Sequence, residues 1–179
     1  VLGSLRAIIP HHRVTFAEAL QIAEQQADKL LHLQGYTKLP IPTELITALP
    51  KVAVEYTRHL VSGATFWHHH RQTWIIHLSR SDSLRRQRFT LAHEYKHIID
   101  HGRDHVLYKG AKQTTAETQA ERAADYFAGC LLVPRHLLTR AWDHGVRKTH
   151  KLARLFHVSD QAIVVRLKQC GLANRRNTA

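Results

Sequence analysis

Two histidines four residues apart constrain the fold of this chain more than any other feature of its sequence. His93 and His97 lie in the segment His-Glu-Tyr-Lys-His, and the apolar residues around them repeat at helical spacing. Residues i and i+4 of a helix lie one turn apart on the same face, so two imidazoles placed this way can bind one metal ion. The segment therefore predicts a long helix with a metal site on one face.

Glu94 follows the first of these histidines and lies about 100° further around the helix. From that position its carboxylate can reach a water at the metal without binding the metal itself. Zinc lowers the pKa of such a water to about 7, and the carboxylate can then accept the proton as a general base. The chain has 16 histidines, so this spacing also arises by chance, and two solvent-facing histidines are the alternative.

A third ligand is expected, because catalytic zinc sites usually have three protein ligands and one open position. Glu121 and Asp125 share a face of the next long predicted helix. The pair resembles the gluzincin arrangement, in which a glutamate on a second helix completes a His, His, Glu set and a companion aspartate hydrogen-bonds a ligand histidine. The alternative for the pair is a solvated acidic face.

Other residues compete with Glu121 for the third position. Glu117 lies one turn earlier, but the sequence Thr-Thr-Ala-Glu that it ends is a capping box, which gives it a structural role. His101 extends the histidine face, but ligands at i, i+4 and i+8 would spread over about 12 Å of straight helix. Arg103 stands where a metzincin has its third histidine. We therefore predict Glu121 as the third ligand.

Two longer blocks resemble the ImmA/IrrE-type metallopeptidases. Residues 86–101 have the sequence RQRFTLAHEYKHIIDH, and residues 121–134 have the sequence ERAADYFAGCLLVP. With the order of elements upstream, the resemblance extends over about residues 15–172 and is more specific than the histidine motif alone. It implies one set of site residues: His93, His97 and Glu121 as zinc ligands, Glu94 as the general base, and Asp125 as the partner of a ligand histidine.

The resemblance also implies a function. Relatives of this kind are proteases that cleave helix-turn-helix repressors, so the implied activity is peptide-bond hydrolysis by a zinc metallopeptidase with a repressor as its protein substrate.

Lys96 departs from the family, which commonly has Gly there, and raises a question about helix packing rather than about the metal site. A group that stabilises the oxyanion is also expected. The candidates are Tyr126, His101 and Tyr108.

The remaining patterns predict an α+β fold with a single domain over residues 1–172. Alternating apolar residues near 52–56, 64–68 and 73–78 predict three short strands. Their spacing predicts a small, mostly antiparallel sheet packed beside a helical body that carries the metal site. An edge strand of this sheet is expected to hold an extended substrate. Residues 173–179 are expected to form a frayed polar tail.

A second function remains open at this stage. Helices within residues 150–172 resemble a helix-turn-helix, and the formal net charge of +12 favours nucleic acid or an acidic protein as a partner. The alternative is therefore a basic DNA-binding regulator, or a module that sequesters a repressor, with a structural or vestigial metal site. Gln161 and Arg166 would contact the duplex in the DNA-binding case.

Composition favours a soluble globular protein, with 44% apolar and 22% charged residues. No apolar run approaches the roughly 20 residues needed to span a bilayer, so we expect no membrane contact and no signal peptide. Cys130 and Cys170 form neither a disulfide framework nor a cysteine-rich zinc site, and both are expected to be small buried apolar residues. These features together predict a cytoplasmic protein.

Overall fold

The computed structural model describes residues 1–58 and 63–173, so residues 174–179 of the predicted tail lie outside the described residues. The elements follow one another in this order: α1 (Leu2–Arg6), α2 (Phe16–Gln34), α3 (Glu44–Thr47), β1 (Val52–Thr57), β2 (Gly63–His68), β3 (Thr73–Ser79), α4 (Leu84–Asp100), α5 (Asp104–Leu107), α6 (Ala116–Leu132), α7 (Arg135–Asp143), α8 (Thr149–Phe156) and α9 (Asp160–Gln169). The fold class is α+β, as predicted. No helix in the described residues has both the length and the apolar character to cross a membrane.

The helix α2 begins and ends on the local signals that its sequence carries. The Thr15 hydroxyl accepts a hydrogen bond from the Glu18 backbone N–H, and the Thr15 N–H donates to the Glu18 carboxylate at 2.7 Å. At the other end Gly35 adopts φ +67°, the left-handed conformation that closes many helices. The buried face of α2 packs against α6.

The three-stranded sheet is mixed, so the prediction of a mostly antiparallel sheet is wrong. The strand order is β1-β3-β2. β2 and β3 form an antiparallel hairpin, with Gly63 opposite Leu78, whereas β1 lies parallel to β3, with Val52 opposite Trp74. Parallel neighbours need a long connection, and here β2 forms part of it. The arrangement leaves β2 at one edge of the sheet.

The helix α4 lies at the centre of the molecule, between the sheet and α6. Its apolar residues Leu91, Tyr95 and Ile98 are buried in the main core with Ile76 of β3 and Phe127 of α6. Burial on several sides fixes the rotation of α4, because apolar side chains must point into both neighbouring layers. The residues that α4 turns toward the gap between β2 and α6 are therefore held in place by the core.

Lys96 is accommodated inside this core by an ion pair. Its side chain is fully buried, and its Nζ donates to Asp100 Oδ1 at 2.5 Å. The Tyr108 hydroxyl donates to the second Asp100 oxygen at 2.5 Å. Burial lowers the pKa of Lys96, while the neighbouring Asp100 carboxylate opposes that shift. The positive charge of Lys96, which stands where the family commonly has Gly, is thus compensated by the carboxylate of Asp100 one helical turn away.

The helices α8 and α9 form a helix-turn-helix-like unit, but Arg166 is not on its surface. The Arg166 side chain is 1% exposed, and its guanidinium donates to the Val133 carbonyl and to Glu24 Oε1, both at 3.1 Å. Arg166 therefore joins α9 to α2 and to the end of α6, and it is inaccessible to a DNA duplex.

Both cysteines are free; Cys130 is buried as predicted, and Cys170 is half-buried.

Candidate metal centre

Two packed helices bring the predicted site residues together. The first is α4, which begins after Ser83, whose hydroxyl accepts a hydrogen bond from the Arg86 N–H at 3.3 Å. The second is α6, which begins after Thr115, whose hydroxyl accepts from the Thr118 N–H at 3.1 Å. This cap lies one residue later than the predicted capping box, and Glu117 lies in the first turn of the helix.

The nitrogen and oxygen atoms of three side chains converge between these helices. His93 Nε2 lies 3.1 Å from His97 Nε2 and 3.2 Å from Glu121 Oε2. His97 Nε2 lies 3.3 Å from Glu121 Oε1. In the described part of the chain, these three residues form the one group of three or more His, Cys, Asp or Glu side chains that could hold a metal ion. Neither Glu117 nor His101 belongs to it.

The separations between these atoms fit a single zinc ion. A tetrahedral ion with bonds of about 2.0–2.1 Å separates its ligand atoms by about 3.3–3.4 Å. The two Nε2 atoms lie close to this distance from each other, and each lies close to it from one of the two Glu121 oxygens. Two imidazoles and one carboxylate are also a common protein ligand set for catalytic zinc, which leaves the fourth position for water or substrate. The donor set and its spacing are therefore both compatible with a catalytic zinc site.

Asp125 orients one of the two histidines. Its Oδ1 lies 2.9 Å from His93 Nδ1, on the side of the ring away from the other ligand atoms. A carboxylate that accepts the Nδ1–H of an imidazole leaves Nε2 free to bind a metal. Burial lowers the pKa of His93, but the hydrogen bond and negative charge of Asp125 outweigh it and raise that pKa above its usual value. For His97, burial and the neighbouring His93 lower the pKa.

Glu94 lies beside the group and is nearly buried, with 8% of its surface exposed. Burial raises the pKa of its carboxyl above the usual value, although the charge of His93 opposes this. Gly63 of β2 approaches it closely: a Cβ atom at this position would lie 2.7 Å from Glu94 Oε1. Sequence reasoning missed Gly63 as a site residue, although a glycine at a strand can mark the close approach of another group.

A cavity of about 640 Å³ opens over the group, between α4 and the edge strand β2. Of the three candidates for stabilising an oxyanion, His101 lines this cavity. The Tyr108 hydroxyl is instead buried against Asp100, and the Tyr126 hydroxyl donates to Glu24 at 3.0 Å. The geometry therefore favours His101 among the three.

An α+β domain with a His, His, Glu group on two packed helices is the arrangement expected of a metal-dependent peptidase. Residues 52–168 match the model of the IrrE N-terminal-like domain, Peptidase M78. The chain therefore belongs to the Peptidase M78 family, and the resemblance to ImmA/IrrE-type peptidases is confirmed. No curated protein has significant sequence similarity to the chain.

A solved Mycobacterium tuberculosis transcriptional regulator is similar to this chain in structure, with a TM-score of 0.66 and 16% sequence identity. It is one of 11 solved chains that match. The match covers 93% of this chain and 51% of the regulator, so this chain spans about half the length of that protein. At this level of identity the likeness shows a shared fold.

Proposed function

We propose that this chain is a zinc-dependent metallopeptidase, with residues 1–172 acting as one catalytic domain. The observation that carries the proposal is the group of His93, His97 and Glu121, whose ligand atoms lie within 4.8 Å of one another. The nearly buried Glu94 beside the group supplies the base that hydrolysis needs. Membership of a peptidase family supports the same activity.

Some residues of the site would hold the metal, and Glu94 would transfer a proton. His93, His97 and Glu121 would hold the zinc ion, and Asp125 would keep the His93 ring in its orientation. When bound, zinc acts as a Lewis acid on the scissile carbonyl and lowers the pKa of a water at its open position. Metal affinity therefore depends on all four side chains.

Glu94 would act as both base and acid in the hydrolysis of one peptide bond. Its carboxylate accepts a proton from the attacking water as the water oxygen bonds to the carbonyl carbon, and it then delivers that proton to the amine as the C–N bond breaks. His101, in the same cavity, would donate a hydrogen bond to the oxygen that becomes negatively charged. No further proton donor is needed for this step.

The edge strand β2 would hold the substrate in extended form. β2 ends the strand order, so its outer edge pairs with no other described strand. Residues 63–67 of this strand line the cavity that contains His93 and Glu94. A peptide added along this edge would form backbone hydrogen bonds with the protein and place one of its carbonyls near the metal group.

We further propose that the substrate is a helix-turn-helix transcriptional repressor. The family resemblance supports this substrate, and the solved neighbour that shares the fold is itself a transcriptional regulator. The positive net charge of +12 also favours an acidic protein partner, since unlike charges increase the rate of encounter.

The DNA-binding alternative has less support. Its basis is the net charge together with the α8 and α9 unit. However, Arg166 of α9 is buried against Glu24 and is not available for phosphate contacts. A duplex-binding titration with Gln161→Ala tests the remaining exposed candidate, because loss of affinity in that variant would favour recognition of DNA by α9.

The decisive experiment uses Glu94→Gln, which removes the base and retains the shape of the side chain. The zinc-loaded protein is incubated with purified helix-turn-helix repressors, and the products are identified by mass spectrometry. We expect cleavage by the native protein and by the control Glu117→Gln, and none by Glu94→Gln at equal zinc content. If Glu94→Gln cleaves as well as the native protein, the proposed mechanism is wrong. If neither cleaves but both bind a repressor, sequestration is the function.

A further inference from the structure

A second, larger cavity lies next to the metal centre. It is a groove of about 720 Å³ between α2, α4, α6 and α9, a volume typical of ligand pockets. Each of the four helices contributes to its wall, with Phe16 and Leu20 from α2, Phe89 from α4, Tyr126 from α6 and Val165 from α9. The groove is therefore a mainly apolar surface that is accessible to solvent, and Val165 is 41% exposed.

The groove adjoins the metal centre. Arg86, Phe89 and Asp125 line the groove and also line a smaller cavity of about 410 Å³. That smaller cavity contains His93 and Glu121 of the metal group, together with Glu94. A chain that binds in the groove thus lies next to the place where we propose that a peptide bond is cut.

The rim of the groove is basic. Arg85 and Arg122 line it, and neither forms an ion pair with another residue in the described parts of the chain. Two carboxylates also face the groove: Asp125, which is bonded to His93, and Asp160, which lies in the first turn of α9 near the positive end of that helix. The unpaired arginines therefore favour a ligand with negative charge beside its apolar part.

The exposed face of α9, the second helix of the helix-turn-helix-like unit, lines the groove. In a DNA-binding unit the exposed face of the second helix would meet the duplex. Here Arg166 anchors α9 to the rest of the fold, while Gln161 and Val165 line the groove. The face that would bind DNA is thus one wall of an apolar groove.

We propose that this groove is a docking site for an amphipathic helical segment of the protein substrate, with an apolar face and acidic residues beside it. This inference rests on the proposed function for the identity of the partner, whereas docking itself requires no metal. An apolar helix face in a groove between helices is a common mode of peptide recognition. The site would select substrates by a segment near the scissile bond and would place that bond at the metal centre.

Binding of a probe peptide to the metal-free protein tests the proposal. The probe is a fluorescein-labelled peptide of about 18 residues, five helical turns, with Leu at positions i, i+3, i+4 and i+7 and Glu elsewhere. A second probe has Lys in place of Glu. Fluorescence anisotropy measures both affinities, and we expect the Leu/Glu peptide to bind about tenfold or more tightly than the Leu/Lys peptide.

Two matched variants separate docking in the groove from adsorption to a basic surface. Val165→Asp puts a charge into the groove, and Leu155→Asp adds the same charge at a residue of α8 that is 38% exposed and does not line the groove. We expect Val165→Asp to weaken binding by about tenfold or more, and Leu155→Asp by about twofold or less. Amide chemical-shift changes on adding the peptide should map to Phe16, Phe89 and Val165.

Several outcomes would overturn the proposal. Equal weakening by the two variants, equal binding of the two peptides, or shift changes away from the groove would each contradict it. A native dimer that Val165→Asp dissociates would show that a second copy of the chain fills the groove. Failure of the native protein to bind either peptide, although the protein as purified holds zinc and cleaves a repressor, would count against the groove alone. Peptide binding in the groove, combined with neither zinc nor cleavage activity in the native protein as purified, would instead count against the proposed function.

Discussion

Asp125 Oδ1 lies 2.9 Å from His93 Nδ1, and this contact turns the opposite nitrogen of the ring toward His97 and Glu121. The aspartate is on α6 and the histidine is on α4, so the contact also links the two helices that form the site. The ring of a ligand histidine held in this way is already fixed, so metal binding costs no further loss of its rotational freedom. The contact is therefore expected to increase the affinity of the site.

Removing this partner should weaken zinc binding. We expect Asp125→Ala to reduce zinc affinity about 10- to 100-fold, the usual effect of losing a group that orients a ligand histidine. Competition with a chromophoric chelator measures the affinity, and Glu117→Ala on the same helix is the control. Equal affinity in Asp125→Ala and the native protein would mean that the aspartate does not support the site.

A methyl group at Gly63 should disturb the base without removing any ligand. The added Cβ would clash with Thr90 Cγ2 and would lie 2.7 Å from Glu94 Oε1, so both of these α4 side chains must move. We expect Gly63→Ala to lower kcat and to destabilise the fold by about 1–3 kcal/mol, with zinc content unchanged. Gly129→Ala is the control, because its Cβ would meet Arg166 Cδ at an ordinary 3.9 Å. Full activity in Gly63→Ala would contradict the close approach of β2 to the base.

The buried pair of Lys96 and Asp100 should matter more to stability than an exposed pair. Asp100→Asn leaves a fully buried ammonium group without its counter-charge, and we expect a loss of about 3–5 kcal/mol in the free energy of unfolding. Glu55→Gln, which breaks an exposed contact of 2.6 Å to Arg71, should cost about 0–1 kcal/mol. Urea unfolding measures both. Similar losses in the two variants would show that Lys96 is not buried as a charged group.

Glu24 should make stability depend on pH. Burial raises the pKa of Glu24, but hydrogen bonds from Arg166 and Tyr126 outweigh it and hold the pKa below its usual value. The folded state therefore binds the proton less readily than the unfolded state, whose pKa is about 4.3, so Glu24 stabilises the fold above that pH. This contribution is lost as the pH falls through the lower pKa of the folded state.

Unfolding experiments on Glu24→Gln test this dependence. The native protein should be more stable than the variant at neutral pH, and the difference should shrink as the pH falls through the lower folded pKa. Asp28, one turn further along α2, should behave in the opposite way, because burial and the charge of Glu24 raise its pKa. Asp28→Asn should therefore be the more stable form at neutral pH. A Glu24→Gln difference that is independent of pH would contradict the account.

The parts of this fold that could be predicted from sequence depend on local patterns. Thr15 and Gly35 mark the ends of α2 because caps are built from neighbouring residues. His93 and His97 are neighbours because the geometry of a helix brings i and i+4 together. The nearness of Glu121 could be expected only through the resemblance to a family, because it depends on how α4 packs against α6.

The features that escaped prediction depend on contacts between distant parts of the chain. The parallel pairing of β1 with β3 follows from where β1 docks, and strand spacing carries no information on that choice. Likewise, Gly63 meets Glu94 only after β2 has packed against α4. Arg166 had the sequence context of a DNA contact, and its burial against Glu24 becomes evident only when α2 and α9 are placed together.

The central claim is that His93, His97 and Glu121 form one zinc site, and metal content tests it most directly. The protein is purified without a metal-affinity step, and zinc is measured by elemental analysis in the native protein and in Glu121→Ala. A matched control, His68→Ala combined with His70→Ala, removes two histidines from a surface run that could bind stray metal. We expect about one zinc per chain in the native protein and in this control, and little in Glu121→Ala. Zinc that is absent from the native protein, or unaffected by Glu121→Ala, would contradict the account.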